Sequence, residues 1–170
     1  MLKTLPLEGD FECPRALSLG SFTGVHSLEK KQYYAHPRNL FWRLLAEAHR
    51  EKCPSAYALK PTLLRRKHLA LCDVLAGCRR SGSLDSAIKK AVPNRAVRLF
   101  LRHFPAIPVF FTGKKAQVLF VRFFAAEAGR RQLLCVPSPS PANMTRSLPE
   151  KKREWERAFA KLRQGDSTDL

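Results

Sequence analysis

Residues 32–39, Gln-Tyr-Tyr-Ala-His-Pro-Arg-Asn, crowd the groups best suited to chemistry into one short stretch. Asn39 carries an amide that can both donate and accept, so it could orient a water or contact a ligand. Tyr34 offers an aromatic face that can stack on a planar ligand, and Tyr33 beside it could do the same or sit in a core. His36 could hydrogen-bond a base or a phosphate, or fix the loop through a backbone contact. Read locally, Asn39 is also a good N-cap for the helix that follows. Two further stretches share this character. Gly-Ser-Phe-Thr-Gly at 20–24 can present backbone N–H groups at a strand end, and Pro-Ser-Pro-Ser-Pro-Ala-Asn at 137–143 reads as a polar, proline-rich loop.

The elements that must position these groups alternate along the chain. Residues 15–21 read as a short strand. Phe41, Leu44, Leu45 and Ala48 keep the helical period and predict a helix over about 38–52. A short helix follows Pro61, and the apolar run 68–78 predicts a buried strand. Ser83 is placed to N-cap a short helix, with Asp73 read as structural and Asp85 as a helix-start charge. Val97, Phe100, Leu101 and Phe104 predict a helix stopped by Pro105. A strand within 106–113, a helix over 114–129 and a strand within 132–138 come next. Trp155, Ala158, Phe159 and Leu162 define the closing helix from about Leu148. This alternation predicts one three-layer α/β domain over 1–164 with a largely parallel sheet and a disordered tail at 165–170. In such sheets ligands bind beyond the carboxyl ends of the strands, where the three loops would meet.

Composition narrows the partner. Lys plus Arg number 31 against 14 Asp plus Glu, a formal net charge of +17, which points to a polyanion: nucleic acid first, an acidic membrane surface second. No stretch has the length and apolarity of a membrane span, and the first residues lack a signal-peptide core, so an intracellular protein (cytoplasm, nucleus or nucleoid) is expected. The five cysteines include no C-x-x-C pair, which argues for free thiols and against a zinc or iron–sulfur site.

The stretch "LGSFTGVHSLEKKQYYAHPRNLFWRLL" closely resembles the first motif of the hypoxanthine (deoxyinosine) DNA glycosylases, a branch of the uracil-DNA glycosylase superfamily. "CDVLAGCRRSGSLDSAI", "VFFTGKKA", "VPSPSPAN" and "EKKREWERAF" follow in the family's order, so the resemblance covers roughly residues 11–160. It implies an α/β/α fold around a central four-stranded, mainly parallel sheet. It also implies hydrolysis of the bond between a deaminated base and deoxyribose, without a metal or redox cofactor; a monomer with no cofactor is expected. Asn39 would be the catalytic polar residue. Gly20, Ser21 and Phe22 would bind the base through the loop backbone, with Tyr34 stacking on it and His36 nearby. Ser138, Ser140, Asn143 and Met144 would engage the distorted strand, the last two with Pro141 and Ala142 filling the gap left by the flipped nucleotide. Arg38, Lys114, Lys115 and Arg146 would touch phosphates, and Arg65, Arg66, Lys67, Arg79 and Arg80 could extend that footprint. Three departures border this pocket: Phe22–Thr23 for the usual Met-Pro, Thr112 for Asn, and Pro139 for Thr. They keep open a second expectation, a catalytically inactive nucleic-acid-binding domain that retains the fold.

Overall fold

The computed structural model describes residues 1–129 and 131–165, the last three of these by backbone alone. Its strands are β1 (Leu2–Lys3), β2 (Glu8–Gly9), β3 (Ala16–Gly20), β4 (Leu69–Asp73), β5 (Leu75–Arg79), β6 (Lys89–Pro93), β7 (Val109–Thr112) and β8 (Leu133–Val136). Its helices are α1 (Val25–Lys30), α2 (Phe41–Ala48), α3 (Lys60–Arg66), α4 (Arg95–His103), α5 (Lys114–Phe123), α6 (Ala125–Ala128) and α7 (Leu148–Gly165).

The central sheet runs β2-β4-β3-β7-β8. β4, β3, β7 and β8 are parallel, and the two-residue β2 adds an antiparallel edge to the expected four strands. Successive side chains on a strand face opposite ways, and the core divides accordingly. Ala16, Leu69, Leu71 and Phe110 pack with Phe41, Leu44, Leu45, Trp155 and Phe159 beneath α2, α3 and α7. Leu17, Leu19, Ala70, Cys72, Val109 and Phe111 pack with Leu101, Leu119, Phe120 and Phe124 beneath α4 and α5. The three-layer α/β/α architecture follows from these two apolar faces.

Several expected elements are redrawn. The run 68–78 is two strands in two sheets, because Val74 and Leu75 turn out of β4 to donate to Gly20 O (2.9 Å) and Ser21 O (3.2 Å). β5 then pairs antiparallel with β1 and β6, a sheet that the unbroken apolar run conceals. The helix expected over 38–52 spans only Phe41–Ala48. The one expected over 114–129 breaks between α5 and α6 at Phe124. Ser83 does not cap a helix that follows it in the chain; its Oγ accepts the N–H of Val25, the first residue of α1, at 3.0 Å, and a 3-10 turn begins after Leu84. α7 reaches Gly165, one residue into the expected tail, whose remaining residues 166–170 lie outside those described. Among the described residues no helix is long and apolar enough to cross a membrane.

Candidate active site

The parallel register aligns the strand ends: Gly20 of β3 lies opposite Asp73 of β4, and Thr112 of β7 opposite Val136 of β8. The loops leaving these ends are joined to one another by named hydrogen bonds. Leu40, at the end of the 32–39 arm, donates its N–H to Pro139 O at 3.0 Å. Ser27 Oγ accepts the Ala35 N–H at 2.9 Å, tying α1 to the same arm. Gly113, at φ +126°, lets β7 pass Ser138 so closely that an added Cβ would stand 3.1 Å from the serine Cβ.

Tyr34 is the most constrained residue of the arm. Its φ of +54° lies in the left-handed region, which costs a residue with a Cβ on the order of 1–2 kcal/mol. Two contacts hold it there: the ring stacks on Phe41 at 3.9 Å between centroids and 10° between planes, and the hydroxyl meets Thr112 Oγ1 at 3.0 Å. Burial pushes the phenol's pKa well above its usual value, so it stays neutral. Tyr33, by contrast, is a core residue. It is buried, its hydroxyl donates to Leu5 O at 3.0 Å, and its carbonyl accepts the Trp42 indole N–H at 2.9 Å.

Asn39 is half-buried. Its Oδ1 accepts the Phe41 N–H at 3.0 Å, so the local expectation of a capping contact is realised even though the cap position itself falls at Leu40. His36 Nδ1 accepts the Arg38 N–H at 3.1 Å, the loop-fixing contact, which leaves Nε2 to carry the ring proton. The His36 imidazole stands edge-on to His26, 5.5 Å between centroids.

The 20–24 loop is held from several sides. Ser21 Oγ donates to Asp85 Oδ1 at 2.5 Å. Phe22 is buried, with the Arg80 guanidinium 5.1 Å above its ring, so it meets the site through its backbone. Arg80 also donates to Thr23 O at 2.6 Å. Thr23 Oγ1 donates to Asp73 Oδ2 at 2.5 Å. Asp85 thus does more than start a helical turn, and Asp73 belongs to the site; burial raises both carboxyls, against the hydrogen bonds each accepts. Asp73, Arg80 and Asp85 are what the residue-by-residue reading missed. The legible signal was a carboxylate closing the otherwise apolar run "LALCD".

The 137–143 loop folds on itself and onto α7. Ser138 Oγ accepts the Ser140 N–H and Ser140 Oγ the Ala142 N–H, each at 3.3 Å. Asn143 O accepts from Lys151 Nζ at 2.8 Å, and Pro137 O from the Trp155 indole at 3.0 Å. Met144, at the tip, is 86% exposed. Among the basic residues, Arg38 and Lys114 are exposed, Lys115 is half-buried, and Arg146 pairs with Glu154 at 3.1 Å. Arg66 and Lys67 pair with Glu51, and Arg80 is turned onto the 20–24 loop.

A neutral amide, a backed tyrosine and a glycine loop thus lie on the loops that leave the carboxyl ends of parallel strands, the place where α/β sheets bind ligands. The family model described as the uracil DNA glycosylase superfamily matches residues 8–163. Two hypoxanthine DNA glycosylases are similar in sequence. That of Methanosarcina barkeri is 35% identical over 145 residues, and that of Methanosarcina acetivorans 32% identical over 156. Both matches cover 84% of this chain and 89% of the relative. A solution NMR structure from Methanosarcina acetivorans, described as a candidate uracil DNA glycosylase, superposes with a TM-score of 0.78 at 31% identity, covering 95% of this chain and 98% of that one. The chain belongs to the uracil DNA glycosylase superfamily.

Proposed function

We propose that this chain is a monofunctional DNA glycosylase that flips a deaminated base, hypoxanthine first and uracil second, from DNA and hydrolyses its N-glycosidic bond. The observation that carries the reading is the meeting of Gly20, Tyr34 and Thr112 at the carboxyl ends of β3 and β7, in a chain similar to hypoxanthine DNA glycosylases. In this reaction water forms the new bond to C1′, and the base departs with the electron pair of the broken bond. The sugar gains positive character and the base negative character. Tyr34, backed by Phe41, is the stacking wall. The backbone N–H groups of Ser21 and Phe22 receive the base carbonyl, and the Asn39 amide nitrogen orients water or the leaving base. His36, with its proton on Nε2, is a further neutral donor. Schiff-base chemistry is not expected, because Lys151, the lysine whose burial lowers its basicity, is occupied by Asn143 O.

The rival reading is a domain that binds DNA without cutting it, and the use of Asn39 Oδ1 as a cap favours it. Base release from otherwise identical duplexes carrying deoxyinosine, deoxyuridine or neither separates the two. Release from deoxyinosine above deoxyuridine is expected, and binding without release supports the rival.

Two outcomes follow from the rim. With Arg38, Lys114, Lys115 and Arg146 on phosphates, log affinity plotted against log salt should fall with a slope of about −3 to −4. Reversing Lys114 and Arg146 to Glu should flatten it. Met144 is the exposed apolar tip that fills the emptied stack, so Met144→Ala should slow release from duplex by about tenfold while sparing single strands, which need no unstacking. Equal slowing on both substrates would remove Met144 from that role.

A further inference from the structure

Three oxygens meet where β3 and β4 end: Thr4 Oγ1 from the segment after β1, Thr23 Oγ1 from the glycine loop, and Asp73 Oδ2. Thr23 Oγ1 stands 2.7 Å from Thr4 Oγ1 and 2.5 Å from Asp73 Oδ2, and Thr4 Oγ1 also reaches Asp73 Oδ2. Every pair is in hydrogen-bond contact, and three contacts need three protons. The two hydroxyls supply two. Were Asp73 a carboxylate, both hydroxyls would donate to it and would then face each other lone pair to lone pair. A proton on Asp73 lets each oxygen donate to one neighbour and accept from the other.

The surroundings agree with a neutral acid. Asp73 is 3% exposed, and among the described residues no ion pair forms with it. Burial raises its carboxyl above the usual range and the nearby Asp85 charge pushes the same way, opposed by the Thr23 and Thr4 hydrogen bonds. Its other titratable neighbours are Tyr33, Tyr34, Cys72 and Cys78, all themselves pushed toward the neutral form by burial. The second oxygen of the same carboxyl spans the start of the loop, only 2.5 Å from where a Gly20 Cβ would stand.

We propose that Asp73 is a positioning residue that works as a neutral carboxylic acid, its three-proton ring with Thr4 and Thr23 holding the Gly20–Gly24 loop against the base pocket. This rests on the glycosylase reading for its catalytic consequence. Ionisation opens the ring and sets a buried negative charge beside a base that leaves as an anion, so it slows the reaction.

The test is single-turnover base release from a deoxyinosine duplex as a function of pH, for the wild type, Asp73→Asn and Thr23→Val. The wild-type rate should decline on the alkaline side through a carboxyl titrating above the ordinary range, and Asp73→Asn, which cannot ionise, should lack that decline. Thr23→Val should lower the rate constant by about tenfold, the effect of one hydrogen bond, with duplex affinity changed less than about twofold. The loss should be smaller in the Asp73→Asn background. An unchanged alkaline decline in Asp73→Asn, or a full rate in Thr23→Val, overturns the proposal. Should Thr23→Val not fold, Thr4→Val removes the ring member outside the loop and reads the same effect. Side-chain carboxyl 13C NMR reads the proton directly, whether or not the protein cuts DNA. At a pH where exposed aspartates are already ionised, Asp73 should still show the acid form, and a carboxylate signal there overturns the proposal. Absence of release by the wild type on every lesion counts instead against the glycosylase reading.

Discussion

Asn39→Ala should reduce single-turnover base release by about 10²–10³-fold, the usual loss when a well-placed donor to a developing anion is removed. Asn39 has two ends with different duties, and a second substitution separates them. Its Oδ1 accepts the Phe41 N–H at the start of α2, so Asn39→Ala should also cost about 1 kcal/mol of stability. Asn39→Asp keeps that acceptor and should melt like the wild type. It has lost the amide N–H, and it places a charge near the departing base, so it should be as slow as the alanine variant. Thermal melts and release rates on the three proteins check this. An active Asn39→Asp would reduce Asn39 to a helix cap.

Gly20→Ala should be nearly as damaging through the backbone rather than through chemistry. A Cβ at this position would stand 2.5 Å from Asp73 Oδ1 and 3.2 Å from the Tyr34 hydroxyl oxygen. Neither group can give way easily. The carboxyl is pinned by Thr4 and Thr23, and the tyrosine by Phe41 and Thr112. Relief must come from moving the loop, at a cost of about 1–3 kcal/mol in folding. A displacement of about 1 Å in the groups facing the base costs on the order of 10² in rate. A variant that melts a few degrees lower and releases base about 100-fold more slowly fits this account. A full rate at unchanged stability would show that the loop, the carboxyl and the tyrosine are less closely coupled than their distances say.

Much of the framework is legible in the sequence because period and punctuation agree there. β3, β7 and β8 stand as short apolar runs ending at turn residues, and α4 is bracketed by Asn94, whose Oδ1 accepts the Ala96 N–H at 3.0 Å, and Pro105. α7 carries its apolar face at Trp155, Ala158 and Phe159, all buried. What periodicity could not carry was the change of sheet at Val74: "LALCDVLAGC" is apolar on both sides of the corner, and only hydrogen bonds to the 20–24 loop mark it. The same limit applies to the site. The motif around 32–39 could be found from its own residue types. Asp73, Arg80 and Asp85 act on a loop some fifty to sixty residues away, and no local pattern links Asp73 to Thr23 or Asp85 to Ser21. Tyr33 and Tyr34, adjacent and identical in type, part company because only Tyr34 takes the left-handed conformation that turns it toward Thr112.

The most direct measurement is to incubate a deoxyinosine duplex with excess protein, separate the small molecules and identify what has been freed. Free hypoxanthine, matched by an equal amount of alkali-labile abasic site in the strand, is the result this account predicts. A duplex that is bound tightly and recovered with its deoxyinosine intact would contradict it.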